Sequence, residues 1–432
     1  MKVGLISLGC DKNRVDAERM IYALSENGYE ITDDIAEADV MIVNTCAFIE
    51  AAKKEAIENI LYAASFKETG KLQKLIVTGC FSTRYAKEVK DELPEVDAFV
   101  SVADENKIAD VVNGLFGINE SLVYECGRIL TTPPHYAYLK IADGCNNRCT
   151  YCAIPSIRGR YVSEPLEKLV KEAESLSQSG VRELILVAQD TTNYGRDLYG
   201  KPSIILLLKE LVKLNFWRIR LLYTYPELVS DELLEFIDNE PKMAKYLDIP
   251  MQHADDVILK KMNRRNNSEY LYNLVERIRK CKNHIAVRSS FIVGFPSETV
   301  KEYESLKEFI KGRLDYAGFF EFSAEEGTPA YNMEGKVLKR VSKSRRLECE
   351  KLQCESTAFW QDRLVGEEVE VIYEGIDYAK NKFFGRTEYC APTIDTNVYF
   401  TADFPLSVGK TYRVKIDRNK FHLYGKAVGE VL

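Results

Sequence analysis

Apolar runs and amphipathic stretches alternate along the first part of the chain. Three short apolar runs, "KVGLISLGC", "ADVMIVNTC" and "KLIVTGC", each end in a cysteine. Between them, "VDAERMIYALSENG" and "AAKKEAIENILYAASFKE" have apolar residues at the spacing that is typical of helices. Continuous apolar runs separated by helices indicate strands that are buried on both faces of a parallel sheet. We therefore predict an open α/β domain for residues 1–118.

The same alternation repeats in the middle of the chain. Six strand-like runs occur there: "AYLKIA", "ELILVAQ", "RIRLLYT", "YLDIPMQ", "AVRSSFIVGF" and "AGFFEFS". Helical stretches such as "EPLEKLVKEAESLSQSG" and "EYLYNLVERIRKCK" lie between them. Six successive β/α units predict a partial (β/α)6 barrel, because a complete barrel of eight units needs more chain. This domain is predicted for residues 131–362, and it ends in a long charged helix.

The last part of the chain has a different pattern. Runs such as "EEVEVIYEG", "TNVYFTADFP" and "GKTYRVKIDRNKFHLYGKAV" are rich in β-forming residues, with glycine and proline between them. We predict a small β-barrel for residues 363–432. Lysine and arginine number ten here, as do aspartate and glutamate. A neutral module lacks the basic surface that is usual in nucleic-acid binding, and it is compatible with a basic protein partner.

Composition adds few constraints. The 432 residues are 46% hydrophobic and 29% charged, with a net charge of −7, as in an ordinary folded protein. The apolar run at the start is too short for a secretory signal, and no stretch approaches the length of a membrane span. We therefore expect a cytoplasmic protein. In that reducing compartment, eleven cysteines do not indicate a disulfide framework.

Three cysteines follow the first strand of the predicted barrel, in "DGCNNRCTYCAIP". Cys145, Cys149 and Cys152 form a CxxxCxxC pattern. A 4Fe–4S cluster usually has four thiolate ligands, so three leave one iron open to a cofactor. A structural zinc site is the alternative, but it usually needs a second ligand pair, and the chain has no second CxxC and only four histidines. The spacing is that of radical S-adenosylmethionine (SAM) enzymes.

Cys10, Cys46 and Cys80 each end one of the three apolar runs of the first domain. The carboxyl ends of parallel strands meet at the crevice where ligands bind in open α/β sheets. We therefore predict a second metal site there, again one ligand short. The alternative is three small buried cysteines. The remaining cysteines are predicted to be structural or incidental: Cys126, Cys281, Cys349, Cys354 and Cys390.

This combination resembles the methylthiotransferases of the radical SAM superfamily. The resemblance covers nearly the whole chain and includes "SLGCDKNRVDAE", "NTCAFIEAAKKEAIENI", "VTGCFSTRY", "YLKIADGCNNRCTYCAIPSIRGRY", "VAQDTTNYGRDLYGK" and "GRTEYCAPTIDTNVYF". After Cys10 stand Asp11, Lys12 and Asn13, similar to the branch that modifies ribosomal protein uS12. Relatives that modify tRNA typically have glutamine, methionine and asparagine there. The C-terminal module resembles a TRAM domain, with Thr393 where the family pattern has glutamate.

The resemblance implies the chemistry. Cys145, Cys149 and Cys152 would bind a 4Fe–4S cluster whose open iron holds SAM, and cleavage of SAM would give a 5′-deoxyadenosyl radical. That radical would remove hydrogen from the β-carbon of an aspartate in uS12. The cysteines of the first domain would hold an auxiliary 4Fe–4S cluster that carries sulfur, methylated by a second SAM. The implied partners are uS12, an electron donor and a sulfur donor, and we expect a monomer.

Further site residues are candidates by location alone. Those for binding SAM are Gln189, Arg288, Gly294 and Glu298. An ordinary turn is the alternative for "FIVGFPSET", and a satisfied histidine at the barrel rim is the alternative to a catalytic His253. Three arginines near the CxxxCxxC pattern either bind an anionic group or are solvated surface charges: Arg148, Arg158 and Arg160.

Two other functions remain open at this point. A tRNA 2-methylthiotransferase that acts on a modified adenosine would share all six cysteines. A non-catalytic scaffold that docks on ribosomes would use the cysteines as structural ligands for zinc or iron–sulfur clusters, although structural sites are usually fully coordinated.

Overall fold

The computed structural model of the chain describes residues 1–118 and 127–431, so Cys126 lies outside the described residues. The strands are β1 (Lys2–Ser7), β2 (Glu30–Thr32), β3 (Val40–Thr45), β4 (Lys74–Gly79), β5 (Ala98–Phe99), β6 (Tyr136–Lys140), β7 (Ala142–Asp143), β8 (Val162–Ser163), β9 (Glu183–Val187), β10 (Arg218–Leu221), β11 (Met243–Asp248), β12 (Ala286–Val293), β13 (Tyr316–Glu321), β14 (Glu368–Asp377), β15 (Lys382–Arg386), β16 (Val398–Thr401), β17 (Thr411–Lys420) and β18 (His422–Glu430). The α-helices are α1 (Asp11–Glu26), α2 (Glu50–Ala64), α3 (Phe66–Thr69), α4 (Cys80–Val89), α5 (Ile108–Leu115), α6 (Ile154–Ile157), α7 (Leu166–Gln178), α8 (Arg196–Tyr199), α9 (Ile204–Leu211), α10 (Asp231–Asn239), α11 (Asp256–Lys261), α12 (Ser268–Arg279), α13 (Val300–Ile310) and α14 (Lys339–Asp362).

The chain divides into two compact units, each built from three separate stretches. The first unit comprises Met1–Pro133, Ala142–Val162 and Ser323–Tyr331. The second comprises Pro134–Ile141, Ser163–Phe322 and Asn332–Leu432. All six cysteines of the two predicted metal sites therefore fall in the first unit. None of the helices in the described part of the chain has the length and apolar character needed to span a membrane.

A parallel five-stranded sheet forms the centre of the first unit, with the strand order β2-β1-β3-β4-β5. Strand β3 is buried along its whole length. Its side chains alternate between two apolar clusters, Met41 and Val43 in one and Val40 and Ile42 in the other. A strand with an apolar core on both faces explains why "ADVMIVNTC" is a continuous apolar run. The predicted open α/β domain is confirmed.

A parallel six-stranded sheet forms the centre of the second unit. Its strand order is β13-β12-β11-β10-β9-β6, so the strands of this sheet lie side by side in the order in which they follow one another along the chain. Helices α7, α9, α10, α12 and α13 lie between successive strands along the chain. These are the six strands predicted from the sequence, and the open order of the sheet agrees with a partial barrel. The charged stretch after β13 forms the single long helix α14, as predicted.

The C-terminal strands close into a five-stranded barrel in the order β14-β15-β16-β18-β17. Alternate residues of these strands point inward. Tyr412, Val414 and Ile416 of β17 are buried, whereas Arg413 and Lys415 between them are exposed. The inward residues form an apolar core with Val371 and Phe400. The small β-barrel predicted for this region is therefore confirmed.

A buried network of charges attaches this barrel to the six-stranded sheet. Glu183, the first residue of β9, is fully buried and accepts hydrogen bonds from two arginines. Arg220 Nε donates to its Oε1 at 2.7 Å, and Arg386 Nη2 donates to its Oε2 at 2.6 Å. Arg386 Nε also donates to Glu374 at 2.8 Å. Tyr316 Oη, on the first residue of β13, lies 3.2 Å from Sγ of Cys390 in the C-terminal barrel region. Because Glu183 and Tyr316 both begin strands, the barrel contacts the amino-terminal edge of the sheet.

Candidate metal centres

The three cysteines of the auxiliary site follow three neighbouring strands. Cys10 stands three residues beyond the end of β1, Cys46 directly follows β3, and Cys80 directly follows β4. Strand β3 pairs with β1 on one side and with β4 on the other. Three parallel neighbours bring their carboxyl ends to one edge, so the sheet delivers the three thiols to the same place.

Two glycines make the close approach of these cysteines possible. Gly9 and Gly79, each directly before a cysteine, have φ angles of +92° and +90°. A Cβ on Gly9 would lie 2.7 Å from the Cβ of Cys46 and 3.3 Å from its Sγ. A Cβ on Gly79 would lie 2.4 Å from the carbonyl oxygen of Thr45. A larger residue at either position would push the loops after the strands apart.

The Asn13 side chain lies among the three cysteine loops. Its Oδ1 is 3.9 Å from Cys10 Sγ and also 3.9 Å from Cys80 Sγ. Its Nδ2 donates to the carbonyl oxygens of Leu8 at 3.2 Å and Thr45 at 2.9 Å, the residues that precede Gly9 and Cys46. A single fully buried amide thus holds the ends of β1 and β3 and contacts two of the thiols.

A helix end and burial act on the Cys80 thiol in opposite directions. Cys80 is the first residue of α4. The amino end of a helix favours a thiolate. Burial, in contrast, raises the pKa of Cys46, and it raises the pKa of Cys80 to about 12 although Arg158 opposes the rise. Binding of a metal centre would therefore have to displace protons from these thiols, as metal binding to cysteine does.

The CxxxCxxC pattern lies on a loop that closes on itself. Cys145 N donates to the carbonyl oxygen of Gly159 at 3.1 Å, and Cys152 N donates to that of Cys149 at 3.1 Å. Gly144 has a φ of +74°, and a Cβ there would lie 2.2 Å from the carbonyl oxygen of Arg160. Cys149 is buried, while Cys145 and Cys152 are partly exposed. Backbone hydrogen bonds and Gly144 thus fix the path of the loop that carries the three cysteines.

This loop packs against the sheet that carries the auxiliary cysteines. Ala153 and Ile157, just beyond the CxxxCxxC pattern, belong to the same buried apolar cluster as Cys80, Phe81 and Val43. Both sets of three cysteines are therefore part of one packed unit. The resemblance to methylthiotransferases implies such an arrangement, since transfer of sulfur between two centres needs both beside one cavity.

Arg158, at the end of the loop, is the polar link between the two sets. Its side chain is 1% exposed. Its Nη2 donates to Asn13 Oδ1 at 2.6 Å, its Nη1 donates to Asp143 at 2.7 Å, and both groups donate to Asp16 Oδ2 at 3.1 Å. Burial disfavours its charge, but Asp16 and Asp143 outweigh that effect and raise its pKa. Of the two predicted alternatives, the structure supports binding of an anionic group, here from the protein itself.

The stretch Ser323–Tyr331 contacts both cysteine loops. Glu325 Oε2 accepts from Arg84 Nη1 at 3.1 Å, and its Oε1 accepts from the backbone nitrogen of Glu50 at 3.1 Å. Arg84 also donates to the carbonyl oxygen of Ala47, the residue after Cys46. At the other end of the stretch, Ala330 N donates to the carbonyl oxygen of Thr150 between the second and third cysteines of the pattern. One short segment therefore anchors a loop of each set.

The residues predicted to bind SAM lie in the second unit, where two of them have buried partners. Arg288 donates to Asp248 at 2.9 Å and lies 3.5 Å from Asp395 of the C-terminal barrel. Glu298 accepts from Arg345 Nη1 at 2.5 Å. Gln189 is partly exposed two residues after β9. Their contact with SAM stays a prediction.

Gly294 lies at the end of β12 for a reason that the structure makes clear. Its φ is +74°, and a Cβ there would lie 1.9 Å from Ser342 Oγ on α14. Its backbone nitrogen donates to Glu298 Oε2 at 2.9 Å. The turn therefore tolerates only glycine because α14 packs against it, and its proximity to a cofactor stays a prediction.

His253 is fully buried, and a hydrogen bond satisfies one of its two ring nitrogens, Nδ1, but not Nε2. Its Nδ1 accepts from the backbone nitrogen of Asp255 at 3.0 Å, and its Nε2 lies 3.5 Å from Glu298 Oε2. Because Nε2 lacks a hydrogen-bond partner among the described residues, neither alternative for His253 is confirmed, and both stay predictions. Arg160, in contrast to Arg158, is exposed, as expected for a surface charge.

The donor set fits two iron–sulfur clusters. Within residues 1–118 and 127–431, no three histidine, cysteine, aspartate or glutamate side chains form a ready site for a single metal ion. Each set instead offers three thiols on loops of one unit, the ligands that iron–sulfur clusters use. We therefore treat Cys10, Cys46 and Cys80 as residues that would hold one cluster, and Cys145, Cys149 and Cys152 as residues that would hold another.

Sequence reasoning did not find the residues that hold these loops in place. In the sequence, Asn13 belongs to a motif and Arg158 is one of three arginines near the CxxxCxxC pattern, but no pattern pairs them with each other or assigns a role to Glu325. Their partners are far apart in sequence, so no local spacing reveals them. One local signal exists for Asn13, which stands with Asp11 and Lys12 directly after Cys10, at the end of an apolar run.

Comparison with known families assigns the three parts of the chain. Residues 2–101 match the family described as "Uncharacterized protein family UPF0004". Residues 139–310 match the radical SAM superfamily, and residues 365–428 match the TRAM domain. Among solved structures, the radical SAM methyltransferase TsrM from Kitasatospora setae has a TM-score of 0.54 at 15% identity, covering 76% of each chain. The cobalamin-dependent radical enzyme OxsB has a TM-score of 0.54 at 12% identity and covers 82% of this chain and 56% of its own. These likenesses show the fold alone.

Curated relatives are much more similar. A protein of Acetivibrio thermocellus named "Ribosomal protein uS12 methylthiotransferase RimO" is 44% identical over 99% of each chain. Proteins of the same name from Desulforamulus reducens and a Thermoanaerobacter species are 44% and 45% identical, over 96% and 94% of this chain and 97% and 95% of their own. The domain order is that predicted from the sequence. The chain therefore belongs to the family of ribosomal protein uS12 methylthiotransferases within the radical SAM superfamily.

Proposed function

We propose that this protein attaches a methylthio group to the β-carbon of an aspartate in uS12. The observation that carries the proposal is that two sets of three cysteines lie in one compact unit, joined by Arg158 and by Ser323–Tyr331. A reaction that makes a carbon radical and then adds sulfur to it needs both centres beside the same substrate atom. The family assignment supports uS12 as the substrate over a tRNA.

The residues of the chain would have distinct roles in this reaction. When bound, the clusters and SAM supply the radical and the methylated sulfur, which acid–base side chains do not provide. The chain holds the thiols through the strand ends, through Gly9 and Gly79, and through the closed loop around Cys149. The apolar cluster that contains Phe81 and Ile157 excludes water from one side of the cysteines, which protects a reactive carbon radical.

The partners follow from the chemistry. The protein would receive electrons from a low-potential donor and sulfur from a separate donor, and it would act as a monomer in the cytoplasm, where uS12 is found. The C-terminal barrel would contact uS12, because its neutral charge suits a basic protein better than an RNA backbone. Its firm attachment through Glu183 and Arg386 would keep the bound substrate at a constant distance from the sheet.

Anaerobic turnover tests the proposal. The reconstituted protein is expected to hold about eight irons per chain, to cleave SAM when reduced, and to add a methylthio group to purified uS12 or its loop peptide, as measured by mass spectrometry. Cys149→Ala should abolish cleavage of SAM. Cys46→Ala should retain cleavage and lose thiolation, and Cys281→Ala serves as the matched control because that cysteine lies in the other unit.

A strain without the gene distinguishes the two substrates. Loss of the modification from uS12, with unchanged methylthio groups in tRNA hydrolysates, is the expected result. The opposite pattern would assign the protein to tRNA. Zinc in place of iron, without cleavage of SAM, would instead support a structural scaffold.

A further inference from the structure

Arg158 lies at the end of the loop that carries the CxxxCxxC pattern, yet its guanidinium group is close to the cysteines of the auxiliary site. Asn13 Oδ1, which accepts from Arg158 Nη2 at 2.6 Å, is the same atom that lies 3.9 Å from the thiols of Cys10 and Cys80. The arginine is therefore within reach of two of the three thiols that would hold the auxiliary cluster.

Two carboxylates fix the orientation of this group. Asp16 on α1 accepts from both terminal nitrogens, and Asp143 in β7 accepts from Nη1. A planar guanidinium group that is held at three positions cannot turn away from the thiols without breaking buried hydrogen bonds. Because the Arg158 side chain is only 1% exposed, water screens the charge of its guanidinium group little.

A cluster at this place would bring negative charge into a buried site. A 4Fe–4S cluster held by three thiolates would carry net negative charge, because the thiolates would outweigh the positive charge of the core. Buried negative charge needs compensation from nearby cations or hydrogen-bond donors. The charge, burial and hydrogen bonds around a cluster set its reduction potential.

We infer that Arg158 is a positioning residue of the auxiliary centre, whose fixed positive charge stabilises the reduced, more negative form of the cluster and so raises its reduction potential. The inference rests on the proposed function, because it requires a cluster at Cys10, Cys46 and Cys80. It assigns a second role to an arginine on the loop that carries Cys145, Cys149 and Cys152. The same residue that attaches this loop to α1 also sets the reduction potential of the auxiliary centre.

A purely structural role is the competing explanation, and Asp16 separates the two. Under that explanation, Arg158→Met and Asp16→Asn both break the ion pair between Arg158 and Asp16, and both shift the reduction potential of the cluster in the same direction or leave it unchanged. Under the charge role, Arg158→Met removes a positive charge and lowers the potential, whereas Asp16→Asn removes a negative charge and raises it. Arg158→Lys keeps the charge and should restore most of the wild-type value.

The measurement uses the full chain with Cys145, Cys149 and Cys152 replaced by alanine, so that the auxiliary centre is the sole cluster. After anaerobic reconstitution, redox titration followed by electron paramagnetic resonance gives the potential, and iron analysis gives the loading. We expect a negative shift for Arg158→Met, a positive shift for Asp16→Asn, and values near the parent for Arg158→Lys. Arg160→Met, an exposed arginine of the same loop, should also leave the potential of this centre unchanged.

Distinct outcomes overturn the inference. An unchanged potential in Arg158→Met with full iron loading removes the role, as does a shift of the same sign in Arg158→Met and Asp16→Asn. If Arg158→Met takes up no iron, the sign of the shift in Asp16→Asn decides, since that variant keeps the arginine. A parent protein that binds no 4Fe–4S cluster at all would overturn the proposed function, and this inference with it.

Discussion

Glu183→Gln should loosen the attachment of the C-terminal barrel. Burial raises the pKa of this carboxylate, but the charges of Arg386 and Arg220 outweigh that effect and lower it from 4.5 to about 2. At about 1.4 kcal/mol per pKa unit, this shift corresponds to roughly 3 kcal/mol of stability at neutral pH. Loss of one partner from a buried ion pair typically costs about 3–5 kcal/mol, which agrees with this value.

The two arginines would respond differently. Arg386 keeps Glu374 as a carboxylate partner at 2.8 Å. Arg220, which is fully buried, keeps one carbonyl oxygen, that of Glu388 at 3.0 Å, and the face of the Tyr246 ring. Most of the lost stability should therefore come from Arg220, whose charge would have no carboxylate partner left among these contacts.

Tryptophan fluorescence during urea denaturation can measure the loss. The chain has two tryptophans, and both are in the second unit: Trp217 donates to Glu370 of the barrel at 3.1 Å, and Trp360 lies on α14. Glu183→Gln should lower the free energy of unfolding by about 3 kcal/mol at pH 7. The control is Glu430→Gln, which breaks an exposed pair with Lys410 and should cost less than about 1 kcal/mol.

The dependence on pH provides a second check. The folded pKa of Glu183 is depressed, so its contribution is complete above the unfolded pKa of 4.5 and is lost as the pH falls towards 2. The difference between wild type and Glu183→Gln should therefore shrink below pH 4.5. A variant as stable as the wild type at pH 7, or a difference that grows in acid, would refute the reasoning.

Two further substitutions test how loops are anchored. Glu325→Gln should weaken the buried contact with Arg84 by about 1–2 kcal/mol and speed hydrogen exchange in the loop after Cys46 roughly tenfold. Glu326→Gln, the adjacent control, should leave hydrogen exchange in that loop unchanged. Equal exchange rates in the two variants would contradict the anchoring role of Glu325. Gly294→Ala should cost about 2–4 kcal/mol of unfolding free energy through backbone strain and the collision with Ser342. Adding Ser342→Gly should recover part of this cost in a double-mutant cycle, and strict additivity of the two substitutions would disprove the collision.

The grouping of the six cysteines into two sets of three follows from patterns in the sequence, and their role as cluster ligands stays a prediction. The CxxxCxxC spacing is visible within eight residues. The other three cysteines could be grouped because each ends an apolar run, and parallel strands that are successive in sequence tend to be neighbours. The order of β1, β3 and β4 in the sheet fulfils that expectation.

Long-range ion pairs were beyond the reach of the sequence. Arg288 was predicted near a cofactor by its strand, but its partner Asp395 stands more than a hundred residues later, in the C-terminal barrel. Glu298 is likewise a candidate by location alone, and its pairing with Arg345 depends on how α14 packs. Such contacts follow from tertiary packing, so neither propensity nor spacing reveals them.

The position of Ser323–Tyr331 in the chain has a consequence for biogenesis. This segment anchors the loop after Cys46, but the ribosome synthesises it much later than that loop. Roughly 280 residues separate the segment from the loop, which corresponds to about 15–55 s of synthesis. Until then a nascent chain presents its first cysteines on a loop without its clamp. Maturation factors that insert iron and sulfide would therefore meet their final template only after about three quarters of the polypeptide has been made, which favours insertion after translation over insertion during it.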